Sequence, residues 1–289
     1  MNLRVFAPAK VNLTLQVGSP RGDGLHPLQS VVMFADIGDW IEVSPADRLT
    51  MRIHGDFTSA LSADRSNLVS RAAHALADAA HIEAPRALLI LEKNLPVAAG
   101  LGGGSSDAAA TLKALNVLWE LGLDQAALLR IAGEIGADVA VCMGARSAWV
   151  TGTGEALAPL HLPALHTVLV NPLRPLSTAA VFAEFDRMEL GAGLAETLVP
   201  AWRTPAEAWA GIALLGNGLD APARALMPRI EEISMLLHAD PRVRCVGLSG
   251  SGATMFALAE GPRAAEAIAA DVARAHADWW VRATKLGAA

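Results

Sequence analysis

The chain has 289 residues, 53% of them hydrophobic and 18% charged; this balance excludes a disordered or fibrous chain and leaves room for one large domain or two modest ones. A formal net charge of −6 without a basic block speaks against a nucleic-acid partner. The sequence shows no apolar signal core and no apolar run long enough for a bilayer, so no membrane association and a cytoplasmic location are expected.

Val5 to Val17 alternates, with Ala9, Val11, Leu13, Leu15 and Val17 on one strand face and Lys10, Asn12, Thr14 and Gln16 on the other. A charge between Ala9 and Val11 is costly unless solvated or paired. Lysine is scarce, occurring at positions 10, 93, 113 and 285 alone. Gly18 to Gly24 reads as a loop, and Leu25 to Trp40 as a strand region opened by His26, for which structural and functional roles both stand. Trp40 to Ile53 continues as strand with a turn at Pro45 and Ala46. Asn67 to Ala80 is helical, and Ala87 to Lys93 is a short apolar strand.

Next comes PVAAGLGGGSSDAAATL, from Pro96 to Leu112, with glycines at 100, 102, 103 and 104. Ser105, Ser106 and Asp107 are residue types that favour helix N-caps, and Ala108, Leu112, Leu115 and Trp119 repeat at helical spacing up to Gly122. A glycine loop running into a helix N-terminus gathers free N–H groups and a positive dipole end, which suits a phosphate. A Walker A loop does not fit, because Ser105 and Ser106 follow Gly104 where Lys-Ser/Thr is needed. A dinucleotide fingerprint does not fit either, because Ser105 holds the place of its third glycine.

Asp124 to Ile135 predicts a helix capped by Asp124 and ended by Gly136. Asp138 then enters VAVCMG, read as an apolar strand; such an aspartate is either an active-site carboxylate or a cap on the preceding element. Cys142 and Cys245 sit in apolar surroundings and read as buried thiols, not a disulfide or metal framework. TGTG before Glu155 reads as a hairpin turn, Val168 to Pro172 as a strand, and Val181 to Phe185 as a helix start. A composition shift after Pro172 suggests a second, smaller domain, with Trp202 and Trp209 in its core or at an interface. A second glycine turn, Ser249 to Gly252, precedes an apolar strand; a helix over Ala264 to Ala275 and a strand over Trp279 to Thr284 close the chain.

Three stretches, PAKVNLTLQVGSPRGDGLHPLQS, PVAAGLGGGSSDAAA and GLSGSGATMFAL, resemble in order the motifs of the GHMP small-molecule kinases and span nearly the whole chain. Within that family, GLGGGSS and GDGLHPLQS resemble members acting on a cytidine-diphosphate-linked polyol. The resemblance implies an α+β protein of two-domain GHMP kinase fold: an ATP-binding domain over 1–160 with mixed sheet and helices, and an α/β domain over 161–289. It also implies ATP and Mg²⁺ as cofactors and a monomer or homodimer. Rival readings are a kinase for mevalonate, homoserine or a sugar, and a non-catalytic nucleotide-binding regulator. The presence of both Lys10 and Asp138 argues against the regulator, since a binding module needs no base.

Phosphoryl transfer chiefly requires phosphates held in line, their charge offset and the acceptor hydroxyl positioned. Pro96, Val97, Ala98, Ala99, Gly100, Leu101, Gly102, Gly103, Gly104, Ser105 and Ser106 would hold the ATP phosphates, with Ser105 or Ser106 adding a hydroxyl to a phosphate or to Mg²⁺. That ion binds through oxygen and water, so no His/Cys cluster is expected. By resemblance, Lys10 and Asp138 match the family's catalytic pair. Asp138 would take the acceptor's proton while Lys10 keeps it ionised and offsets developing charge. Likewise His26 matches the cytidine-contacting histidine, Asn12 and Thr178 the acceptor-side residues, and Phe182 the aromatic stacked on cytosine. Two departures stand out. Leu25 replaces a tyrosine frequent before the histidine, and GNGLDAPA departs from an Asn-Asp-Leu-Glu pattern, read as a structural change away from the chemistry.

Overall fold

The computed structural model describes residues 2–287 apart from Ala60, Ala192 and residues 195–197. In chain order the elements are β1 (Leu3–Asn12), β2 (Gln16–Val17), β3 (Leu28–Ser44), β4 (Thr50–Gly55), α1 (Leu68–Ala79), β5 (Leu88–Lys93), α2 (Gly103–Leu118), α3 (Gln125–Ile135), α4 (Ala137–Gly144), β6 (Ala148–Thr151) and β7 (Ala156–Pro159). They continue as β8 (Leu165–Asn171), α5 (Thr178–Arg187), α6 (Pro205–Leu215), α7 (Asp220–Leu226), α8 (Arg229–Ala239), β9 (Val243–Leu248), β10 (Met255–Ala259), α9 (Pro262–Ala275) and β11 (Trp280–Leu286). Two compact units form from separate stretches: Met1–Ala9, Ile37–Val97 and Gly102–Ala145 in the first, and Lys10–Asp36, Ala98–Leu101 and Arg146–Ala289 in the second.

In the first unit β5 lies parallel to β4 and antiparallel to the later half of β3. β5 alternates in burial, so Leu89, Leu91 and Lys93 face inward. Helices α1 to α4 pack with one another. The Asn67 side chain caps α1 at Val69, and Val69, Ala72, Ala73, Leu76 and Ala77 form its buried stripe. Asp124 caps α3 by accepting from the Ala127 amide at 2.8 Å.

In the second unit β9, β10, β8 and β11 form an antiparallel succession, with Val168 opposite both Ala257 and Ala283. β11 meets the first half of β3 at Leu286 and Ala35, and β6 pairs with β3 and with β7 in the TGTG hairpin. Behind the succession, Val168, Val170, Phe185, Ile230, Leu248, Met255 and Ile268 belong to one apolar core. Trp202 packs against α6, its ring nitrogen occupying the place of a Cβ on Gly211.

Three local expectations are corrected. VAVCMG is the body of a helix, α4, with Asp138 in its first turn. A run of that length buried all round has no periodicity to separate strand from helix, and Val139 to Met143 are all buried. The alternating strand read over Val5 to Val17 is broken after Asn12, where β1 ends, and resumes only at Gln16 and Val17 as β2, with Lys10, Asn12 and Thr14 all buried. Helix α2 starts at Gly103, with Gly102 as N-cap at φ 60° and no side-chain cap, so Ser105, Ser106 and Asp107 lie inside it. Cys142 and Cys245 are both buried and outside any disulfide, in line with the reading as core thiols.

Candidate active site

The loop from Pro96 to Gly102 turns through the left-handed region at Ala98 (φ 52°), Gly100 (75°) and Gly102 (60°). Gly102 then opens α2, whose axis is set by a fully buried face of Ala108, Leu112 and Leu115. The first-turn amides of a helix have no intrahelical acceptor, so Gly103, Gly104 and Ser105 present donors where a phosphate gains most. Ser105 is half-buried beside them, whereas Ser106 is buried.

The middle of the loop is fixed within the second unit. Thr254 N–H donates to Ala99 O at 3.1 Å, and Lys10 N–H to Leu101 O at 2.8 Å. Ser249 Oγ donates to Gly100 O at 2.7 Å and accepts from Asn12 N–H at 3.2 Å. A Cβ on Gly100 would fall 2.3 Å from Ser249 O and 2.8 Å from Gly252 O, so this glycine is required by close approach as well as by its φ.

The second glycine turn is therefore a structural partner of the first. Asn12 Nδ2 donates to Ser30 Oγ at 2.8 Å, which orients the asparagine beside that turn. Thr178, the first residue of α5, has its hydroxyl 2.9 Å from Ser251 Oγ. Asn217 Nδ2 donates to both Leu248 O and Gly250 O at 2.8 Å. Through this asparagine, GNGLDAPA holds the turn to which Gly100, Asn12 and Thr178 are tied. Sequence reasoning singled out the turn from Ser249 to Gly252 and the GNGLDAPA stretch, but gave no site role to Ser249, Ser251 or Asn217.

His26 is gathered with the aromatics of α5. Its ring lies 5.0 Å from Phe182 and 5.7 Å from Phe185. Its Nδ1 is 2.9 Å from Gly18 O and its Nε2 is 3.5 Å from Asp186 Oδ2. Phe185 is 1% exposed and belongs to the core, while Phe182 is only partly buried. Leu25 is 53% exposed.

Lys10 and Asp138 occupy different units. Lys10 is 6% exposed near the end of β1. Asp138 is exposed in the first turn of α4, where a negative charge suits the helix dipole.

The flanks of the loop carry an ion cluster. Lys93 Nζ is 2.5 Å from Asp39 Oδ2 and 2.7 Å from Asp107 Oδ2, with all three side chains at most 3% exposed. Burial, helped by the Asp39 charge, pushes the Asp107 carboxyl up to about 8 against the pull of Lys93. Burial alone would lower the Lys93 ammonium, but Asp107 and Asp39 outweigh it and hold it above its ordinary value. Among the described residues, no group of three or more His, Cys, Asp or Glu could hold a metal ion. Nor is any helix among them long and apolar enough to cross a membrane.

Residues 67–146 match the family described as GHMP kinases N terminal domain, and residues 203–278 match GHMP kinases C terminal. The 4-diphosphocytidyl-2-C-methyl-D-erythritol kinase of Caulobacter vibrioides (strain NA1000 / CB15N) is 43% identical over 290 residues, covering 99% of this chain and 100% of that protein. Its counterpart in Hyphomonas neptunium (strain ATCC 15444) is 43% identical over 298 residues, covering 100% and 98%. A crystal structure of 4-(cytidine 5'-diphospho)-2C-methyl-D-erythritol kinase matches with a TM-score of 0.78 at 34% identity, over 99% of this chain and 100% of that one. The homoserine kinase of Cytophaga hutchinsonii matches with a TM-score of 0.69 at 18% identity, over 98% and 94%, a likeness of fold alone. The chain belongs to the 4-diphosphocytidyl-2-C-methyl-D-erythritol kinases within the GHMP kinase family.

Proposed function

We propose that this protein transfers the γ-phosphoryl group of ATP to the 2-hydroxyl of 4-diphosphocytidyl-2-C-methyl-D-erythritol, in the non-mevalonate route to isoprenoid precursors. The observation that carries the reading is the hydrogen-bonded joining of the first glycine loop, the second glycine turn, Asn12 and Thr178. Residues 96–106 bind the ATP phosphates through the amides around Gly103 to Ser105. Asn12 and Thr178 face the acceptor, and His26, Phe182 and the exposed Leu25 hold the cytosine. Asp138 takes the hydroxyl proton as the acceptor oxygen attacks, and Lys10 offsets the charge that develops. Leucine in place of tyrosine gives the base an apolar cover without ring stacking.

Mg²⁺ fits this chemistry as a companion of the phosphates: the Ser105 hydroxyl is the kind of oxygen ligand it takes, and when bound it neutralises phosphate charge. An N-terminal nucleotide-binding part over 1–160 and a C-terminal part over 161–289 belong to the same reading, supported by family matches that fall on either side of residue 160. So do a cytoplasmic location and a monomeric or homodimeric state. A kinase for homoserine, mevalonate or a sugar shares the fold, but the His26–Phe182 pair favours a nucleobase-bearing substrate. A structure with a non-hydrolysable ATP analogue and the cytidyl substrate tests the assignment. Phosphates should lie at the Gly103–Ser105 amides and cytosine beside Phe182; phosphates elsewhere would contradict it.

A further inference from the structure

The loop's ends need holding. Three left-handed residues within five positions, one of them the non-glycine Ala98, form a conformation that persists only when its surroundings over-determine it. Asp39, on β3, fixes the entry. Its Oδ1 accepts from Asn94 N–H at 2.6 Å and Leu95 N–H at 2.8 Å, and its Oδ2 takes Lys93 Nζ. Lys93 carries the restraint across to Asp107, on the second turn of α2. A Cβ on Gly103 would stand 3.0 Å from Lys93 Nζ, so the first residue of α2 rests on the cluster.

This cluster is poorly made for stability. Two carboxyl groups share one lysine, and Asp107 Oδ1 is buried with no hydrogen-bond partner. A buried ion cluster is commonly no better for stability than an apolar filling, and an unsatisfied buried oxygen is a cost. What the cluster does supply is a fixed distance between the chain entering the loop and the helix leaving it.

We propose that Asp107, through Lys93 and Asp39, is a positioning residue for the phosphate-binding loop, setting the geometry of the α2 amides and hence nucleotide affinity. None of the three need touch the nucleotide. The inference rests on the phosphate-loop reading above and adds that the loop is shaped from beneath. A misplacement of about 1 Å in a binding group can cost two orders of magnitude, so removing one arm should be visible in binding.

The test measures the Kd of a non-hydrolysable ATP analogue by calorimetry, alongside the thermal midpoint of the unliganded protein. Asp107→Ala leaves the Lys93–Asp39 pair intact and removes the unpartnered oxygen. It should weaken the analogue about tenfold or more while the midpoint stays level or rises. Asp107→Asn keeps an oxygen for Lys93 and should recover most of that loss. In turnover, Asp107→Ala should raise the KM for ATP while that for the acceptor alcohol moves less than twofold. Lys93→Met is the independent second arm, and where it folds it should weaken the analogue as well. Wild-type affinity in Asp107→Ala would overturn the proposal. So would a loss that only follows a lowered midpoint, equal rises in both KM values, or no recovery with asparagine. A wild-type protein that binds no analogue would overturn the phosphate-loop reading itself, and the proposal with it.

Discussion

His26 Nδ1 lies 2.9 Å from the carbonyl oxygen of Gly18. A carbonyl only accepts, so that nitrogen carries a hydrogen and the ring plane is fixed against the loop before β3. The ring so held lies 5.0 Å from Phe182. Phe182→Ala should therefore raise the KM for the cytidyl substrate by roughly 5- to 150-fold, the scale of about 1–3 kcal/mol for stacking on a base, and leave the KM for ATP within twofold. Phe185→Ala acts differently, because that ring is buried in the core. It should cost about 3–5 kcal/mol of stability in urea unfolding. Equal effects of Phe182→Ala on both KM values would assign that ring to packing instead.

Gly100 and Gly104 separate by geometry. Gly100→Ala forces a Cβ to 2.3 Å from a backbone oxygen at φ 75°, so the chain must move. A loss of about 2 kcal/mol or more is expected, the left-handed cost plus overpacking. Gly104→Ala meets only the end of Leu68 at 3.3 Å, which can give way. Its loss should stay below about 1 kcal/mol, since an alanine inside a helix also gains propensity. Denaturant midpoints on the two variants decide it, and equal losses would contradict the geometry.

Much of this was legible in the sequence. The helix that follows Asn67, the Asp124 cap, the TGTG hairpin and the apolar strands β5, β8 and β10 follow from local chemistry and periodicity. VAVCMG did not, because a short run buried all round carries no period. The inward place of Lys93 was available, since it continues the alternation of Leu89 and Leu91, but its partners Asp39 and Asp107 are 54 and 14 residues away. Ser249 reaching Gly100, 149 residues apart, likewise depends on tertiary closure rather than local signal.

Asp107 should leave a mark on pH stability. Its folded pKa, up to about 8, stands above the ordinary 3.8, so the folded protein keeps a proton that the unfolded chain releases. Its contribution is complete below about pH 4 and is lost as pH rises towards 8, with a slope of at most about 1.4 kcal/mol per pH unit. The wild-type midpoint should fall between pH 5 and 8, and Asp107→Asn should flatten that fall. Parallel curves for the two proteins would show that Asp107 is ionised throughout.

Asp138→Asn should cut kcat by roughly 10²- to 10⁴-fold, the usual contribution of a positioned base, with ATP affinity retained. Lys10→Ala should also lower kcat more than it weakens ATP. If the two act as one unit, the double variant should lose little more than the worse single variant. Multiplying losses would mean independent roles.

The most direct test is ADP release by the wild-type protein with ATP, Mg²⁺ and each candidate alcohol in turn. Turnover is expected with 4-diphosphocytidyl-2-C-methyl-D-erythritol, at a kcat/KM at least about a thousandfold above that with mevalonate, homoserine or galactose, since the site would hydrogen-bond a base those alcohols lack. Equal or better turnover with one of those three, or no turnover with the cytidyl substrate, would contradict the proposed function.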